Sequence, residues 1–298
     1  GIDEDLDLIP TVSGVDIFIA GGGDELLTND TTDAQIFDGL DVFGGYPLQV
    51  TDADSNTVYV VTTPGDYRFV GQLVATFDEN GDVISIGEES GPVVVRTDRP
   101  DEALEEAVVE PVAAYLDQLD ANVIATTEVP LDGTRSGVRT METNQGNLIA
   151  DALFWQANEL ADEFGVAAPT VALQNGGGIR NSSIIQPGDI TELTTFDMLP
   201  FANFVTVVEP IAAEDFLAVL ENAVSRVEFT DGRFAQVSGF SFVYDPNAEA
   251  GSRIVSATLD DGTTIIENGA AVANAPMISV ATINFLATGG DQYPFNGA

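Results

Sequence analysis

The stretch Gln174-Asn175-Gly176-Gly177-Gly178-Ile179-Arg180 closes a short apolar run at 170–174, and the rest of the chain is read outward from it. The run predicts a strand, and the glycines predict that it ends in a loop. Lacking Cβ atoms, three consecutive glycines let the backbone turn sharply and approach a ligand closely. Asn175 offers an amide donor and acceptor, and Arg180 a planar fork suited to phosphate or ribose oxygens. A plain glycine turn has the same composition, so the flanking segments must carry the choice.

Upstream lies Arg139-Thr140-Met141-Glu142-Thr143-Asn144-Gln145-Gly146. Its apolar spacing predicts a helix over 146–160, with Leu148, Ala152 and Trp155 on one side and Asn144 or Thr143 as the cap. Arg139 sits just outside the positive end of that helix, which the dipole does not favour for a cation. Either an anion or carboxylate partner or a surface salt bridge accounts for it. Downstream come Leu199-Pro200-Phe201 and Asn284-Phe285-Leu286-Ala287-Thr288-Gly289-Gly290-Asp291. Phe201 and Phe285 are either core residues or a pair able to sandwich a flat base. Asp291 could accept hydrogen bonds from two ribose hydroxyls. A helix is predicted over 213–227, with Phe216, Leu220 and Val227 inward, and strands over 237–244, 252–259 and 277–282. Asp260-Asp261-Gly262 reads as a turn. Helices and strands mixed in this way predict an α+β fold.

The front of the chain is β-rich. The compact apolar run 15–20 reads as a buried strand stopping at Gly21-Gly22-Gly23, and further strands are expected over 47–51, 57–63, 67–77 and 83–86. Asp52-Ala53-Asp54-Ser55-Asn56 and Asp78-Glu79-Asn80-Gly81-Asp82 separate them as turns. The first resembles a calcium loop only in its opening residues, because Thr57 and Thr63 occupy the places where that loop needs Gly and Glu. Pro100-Asp101 opens a helical pattern running to about Leu119, with Leu104, Val108, Val112 and Leu116 on one face. The expected division is a β-rich part at 1–97, a bridging helix at 98–120 and a second domain at 121–298.

Composition narrows the function. Nine basic residues, all Arg, face 49 acidic ones among 298 residues, for a formal charge of −40. Such a field repels nucleic-acid polymers and anionic membranes. It fits a solvated acidic surface adapted to high salt, so a marine or halophilic origin is expected. No apolar run is long enough to span a bilayer, and no signal peptide is visible at Gly1. Cys and His are both absent, which excludes disulfides, thiolate or imidazole metal ligands, and Ser–His or Cys–His triads within these residues.

In order, the motifs are Arg139, Asn144-x-Gly146-Asn147-Leu148-Ile149-x-Asp151-Ala152, the glycine loop at Asn175–Arg180, Leu199-Pro200-Phe201, Gly232-Arg233-Phe234-x2-Val237-Ser238-Gly239, Tyr244-Asp245-Pro246, and Phe285-Leu286-Ala287-x-Gly289-Gly290-Asp291. Over roughly 120–298 this series closely resembles the C-terminal domain of the 5'-nucleotidase family. The resemblance implies a mixed sheet with flanking helices that binds the nucleoside and closes on an N-terminal metallophosphoesterase domain. It matches Phe201 and Phe285 to the base-stacking pair, Asn175 to a residue bonding the base, Asp291 to the ribose-binding acid, and Arg139 and Arg180 to arginines reaching ribose and phosphate. Residues 15–27 resemble the last metal-binding strand and loop of the metallophosphoesterase domain, with Gly22 where the family carries a metal His and Asp24 at the second position. Asp24 or Glu25 could bind a hard cation through oxygen, or form a solvated acidic loop. The implied parent is a metal-dependent phosphohydrolase outside the cytoplasm: extracellular, periplasmic or at the cell surface. Its divalent ions (Zn, Mn, Mg or Ca) would be held mostly upstream of Gly1, where they would generate the attacking hydroxide. On that expectation the chain recognises nucleotides, needs the missing metallophosphoesterase half as partner, and is not catalytic alone. The alternative is a non-catalytic extracellular nucleotide-binding or structural module with a decayed metal site.

Overall fold

The computed structural model describes residues 1–30, 32, 40–96 and 100–295. The chain divides into two compact units, Gly1–Val108 and Val109–Ala298.

The second unit is built on a four-stranded sheet in the order Val205–Ile211, Ile278–Ile283, Val171–Asn175, Ala235–Ser238. The two central strands are parallel, with Val171 opposite Val280, and every residue in both is buried. Both faces are therefore covered, as parallel pairs require. Side chains alternate along a strand. Val171 and Leu173 join Phe216, Val219 and Leu220 of the helix Ala213–Val224 in the largest core, while Ala172 and Ala281 meet Leu153 and Ala157 of the long helix Asn144–Phe164. An antiparallel meander, Phe240–Tyr244, Ile254–Leu259, Thr264–Glu267 and Ala270–Ala271, completes an α+β fold.

Several expectations shift. Thr143 caps the long helix, its Oγ1 accepting from Gly146 N at 3.0 Å, while the Asn144 side chain ties Pro130 and Asp132. The inward face is not Leu148, Ala152 and Trp155, all of which are exposed, but the stripe of Gly146, Ile149, Ala150, Leu153, Ala157 and Ala161. Both stripes have helical spacing; the one rich in small residues lets helix and sheet backbones approach. The run 237–244 is two strands in two sheets, broken at Gly239, whose φ of 83° few other residues adopt. The strands Val205–Ile211 and Thr264–Glu267 were not foreseen.

The predicted bridging helix is interrupted. Asp101 caps Glu102–Leu104, a π-helical turn spans Glu105–Val109, and Glu110–Ala121 is α-helical. Pro111 lacks an N–H and disrupts the regular ladder just there. The face that Leu104, Val108, Val112 and Leu116 share is exposed, and Leu119 is buried.

In the first unit, Thr57–Val61 pairs parallel with Ile17–Ile19 and antiparallel with Leu48–Thr51. The run 15–20 is therefore an edge strand, with Ile19 81% exposed rather than buried. The run 67–77 splits into Phe69–Gln72, paired with Gly91–Val94, and Ala75–Phe77, paired with Val83–Ile86. Asp52 organises an ordinary turn, its Oδ1 accepting from Asp54 N and Asn56 N at 2.9 and 2.8 Å.

Candidate functional site

Strand direction gathers the predicted residues. Val171–Asn175 and Ile278–Ile283 run parallel, so the loops that follow them leave the same end of the sheet. Those loops carry Gly176–Arg180 and Phe285–Asp291. Val205–Ile211 is antiparallel to its neighbour, with Val205 opposite Ile283, so its start lies at that end and brings Phe201 and Asn203. Ala235–Ser238 is likewise antiparallel, with Ala235 opposite Asn175, and brings Gly232 and Arg233. Ligands favour such crevices beyond the carboxyl ends of parallel strands.

The glycines permit backbone to pack on backbone. Gly176 N donates to Phe234 O and Gly177 N to Gly232 O, both at 2.7 Å. A Cβ on Gly177 would stand 2.9 Å from Gly232 Cα, and one on Gly176 would collide with the Val138 carbonyl. The close approach at Gly176 places Arg139 beside the loop. Gln236 secures it there, its Nε2 donating to Val138 O at 3.0 Å and Met141 O at 2.8 Å.

The result is a cavity of about 410 Å³. Arg139, Asn175, Arg180, Phe201, Phe285 and Asp291 all line it, together with Gly177, Gly178, Asn203, Gly232 and Ile283. Phe201 is 49% exposed and Phe285 44%, far from core values, and neither ring pairs with another aromatic among the described residues. The Arg180 guanidinium lies over the Phe201 ring, 5.2 Å from its centroid. Gly290 keeps the Phe285 ring seated, since a Cβ there would run into it.

Arg139 is 7% exposed and forms no ion pair among the described residues, so the surface salt bridge is ruled out. One guanidinium nitrogen donates to Thr230 O at 3.4 Å, and the buried Nε has no partner. Burial, then the charges of Arg135 and Arg180, push its pKa below the usual arginine value, against the pull of Asp231 and Asp291. The group stays charged nonetheless, so the cavity holds a poorly solvated cation.

Asp291 adopts a left-handed backbone, φ 51°, after Gly289 at 96°. Its carboxylate accepts from Asn175 Nδ2 at 2.6 Å, while Asn175 Oδ1 accepts from Gln174 Nε2 at 2.9 Å. Asn175 is thus already engaged on both ends of its amide, with one hydrogen and one lone pair left over; Asp291 retains most of its acceptor capacity. Aromatic faces, a carboxylate and two guanidinium groups suit a flat ring, a vicinal diol and an anion in that order. Asn203 escaped the sequence reading, and Gly232 entered it without an assigned role. Asn203 lies only two residues beyond Phe201, and Gly232 is marked by nothing but its motif.

Asp24 lies in the first unit. It is exposed, and its Oδ1 accepts from Gly65 N at 3.2 Å. Among the described residues no three acidic side chains converge, and the chain has no His or Cys. This donor set does not by itself make a metal site.

Residues 123–297 match the family model described as the 5'-nucleotidase C-terminal domain. The chain is 30% identical over 298 residues to a trifunctional nucleotide phosphoesterase of Bacillus subtilis, covering 98% of this chain and 18% of that protein. It is 28% identical over 295 residues to human 5'-nucleotidase, covering 98% and 50%. The crystal structure of a 5'-nucleotidase precursor from Thermus thermophilus superposes with a TM-score of 0.63 at 32% identity, covering 99% of this chain and 55% of that one. The chain therefore spans about half the length of the human and Thermus proteins and under a fifth of the Bacillus one.

Proposed function

The chain belongs to the 5'-nucleotidase C-terminal domain family, and from that premise we propose that it is the nucleotide-recognition part of a metal-dependent 5'-nucleotidase-type phosphohydrolase. One observation carries the reading: six residues far apart in sequence, each with chemistry for one part of a nucleotide, line a single cavity. Phe201 and Phe285 stack the base, Asp291 takes the ribose hydroxyls, Asn175 orders Asp291 and the base edge, and Arg139 and Arg180 face the phosphate. Fixing the nucleotide in this way positions its phosphate for attack. Divalent ions and the attacking oxygen belong to a metallophosphoesterase half outside these residues, so this chain alone binds and does not turn over. The parent works outside the cytoplasm, as its relatives named for snake venom do, in a saline medium that the acidic surface tolerates.

Gly22, where the family carries a metal His, favours a second reading: a nucleotide-binding module whose metal site has decayed. Phosphate release by the full-length protein with added divalent ions separates the two.

The test of the binding role is calorimetric titration with adenosine and AMP at high salt, wild type against Phe285→Ala. Wild type binds both, and the variant loses about 1–3 kcal/mol of stacking. A folded wild type that binds neither overturns the reading.

A further inference from the structure

A second concavity of about 520 Å³ opens beside the first. The two share Gly178, Phe201, Asn203 and Ile283 as a common wall. The second is lined by Leu148, Ala152, Leu199 and Val205 among other mostly apolar residues, and none of its lining side chains is charged, although the chain carries 49 acids. Leu148, Leu199 and Val205 each leave more than a third of their surface exposed. Single exposed apolar residues need no explanation, but a contiguous apolar concavity of small-molecule size does.

Its position relative to the first cavity identifies the ligand. Arg139, Arg180, Asn175 and Asp291 line only the first cavity. The phosphate and ribose end of a nucleotide is therefore held away from the cleft. Phe201, a stacking plate in the reading above, is the wall between, so the edge of the base is the part of the ligand that reaches the opening. The exposed side of the long helix, Leu148 and Ala152, forms the far wall, which explains why an apolar stripe of that helix stays out of the core.

Resting on the nucleotide-recognition reading, we propose that the cleft is a subsite for an apolar substituent carried on the base, so that the protein accepts base-alkylated or base-arylated nucleosides and nucleotides. The wall, uncharged and polar only at Gln156, Gln174, Thr195 and Asn203, takes a hydrocarbon or phenyl group out of water more readily than a charged or strongly hydrated one.

Calorimetric titration at high salt with adenosine, N6-benzyladenosine, 2-phenyladenosine and N6-(2-hydroxyethyl)adenosine tests this. The two phenyl-bearing probes cover the two base edges remote from ribose. At least one of them binds about tenfold or more tightly than adenosine, as burial of a phenyl-sized group gives. The hydroxyethyl compound shows no such gain. Ala152→Phe fills the cleft and Ala152→Asp places a charge in it; both sit on an exposed helix position outside the nucleoside cavity. Each leaves adenosine affinity unchanged and removes the gain. If adenosine binds and neither phenyl probe gains, or the gain survives both variants, the proposal falls and the nucleotide reading stands. If none of the four compounds binds a folded wild type, both fall together.

Discussion

Asp291 combines a backbone conformation that aspartate seldom adopts with a short hydrogen bond from Asn175. Both features fix where its carboxylate points, which matters only if the carboxylate has a partner to meet. Asn tolerates the left-handed region equally well, so Asp291→Asn keeps the loop while weakening the acceptor. Adenosine affinity should drop by about tenfold or more, since hydrogen bonds to charged groups are worth about 1.5–3 kcal/mol each. The affinity of 2',3'-dideoxyadenosine should not change. An equal loss for both ligands would remove the ribose role from Asp291. A different residue carries a pH signature. Arg253 donates to both Glu228 oxygens, at 2.8 and 3.0 Å, and this pairing, chiefly the hydrogen bonds, holds the carboxyl down to about 2 from the usual 4.5. A carboxyl lowered in the folded state stabilises above its unfolded pKa and loses that contribution as pH falls through the folded one. Glu228→Gln should therefore flatten the fall in stability between about pH 4.5 and pH 2 and leave stability less dependent on acid there. Denaturation midpoints of the two proteins across that window check it; parallel curves would show that Glu228 does not contribute.

Elements explain which parts were legible in the sequence. The six residues that line the cavity were readable because each lies in a short motif, five of them at one end of the sheet and Arg139 at the end of the short helix Arg135–Val138. Their convergence was not, because it depends on which strands run parallel, and the strand Val205–Ile211, with Glu209-Pro210 inside it, gave no clear apolar pattern. The long helix was found, but its face was misassigned, because two stripes share helical spacing and small residues, not large ones, mark the buried side. The break at Glu105–Val109 was missed because Leu104, Val108, Val112 and Leu116 keep their spacing through it and hide Pro111. Least legible was the support of the Asp291 loop. Arg233, 9% exposed, donates to Asn222 Oδ1, Ser225 Oγ and Gln292 Oε1 at 3.2–3.4 Å and to Asp231 at 3.0 Å; Asn222 in turn donates to Asp291 O at 3.1 Å, and Tyr293 Oη to Arg233 O at 2.6 Å. This network joins the helix Ala213–Val224 to the loop, and of its members only Asp291 lines the cavity. Arg233→Met keeps the bulk and removes the fork. It should weaken adenosine binding several-fold while the chain stays folded, and Arg233→Lys should restore little, because one ammonium cannot reach four acceptors. Amide exchange of the 289–293 segment, faster in Arg233→Met, separates loosening of this loop from general destabilisation.

At the scale of the whole molecule, the site works against its own protein. A formal charge of −40 repels a phosphate at long range, while Arg139 and Arg180 attract it at contact. Salt acts unequally on the two. The Debye length falls from about 10 Å at 0.1 M to about 3 Å at 1 M ionic strength. Repulsion summed over a distant acidic surface is removed first, whereas a guanidinium in a half-enclosed cavity keeps most of its attraction. The association rate of AMP should therefore rise with salt and its dissociation rate should change little, the opposite of the trend for proteins that bind nucleic acid through a basic surface. Adenosine, which carries no charge, is the control, and its rates should be nearly flat. The same screening relieves self-repulsion in the folded chain, so its thermal midpoint should climb over the same range. Stopped-flow binding of the two ligands beside a salt series of melting curves decides the point. AMP association that slows as salt rises would mean that the two arginines, not the acidic surface, dominate the field an approaching nucleotide meets.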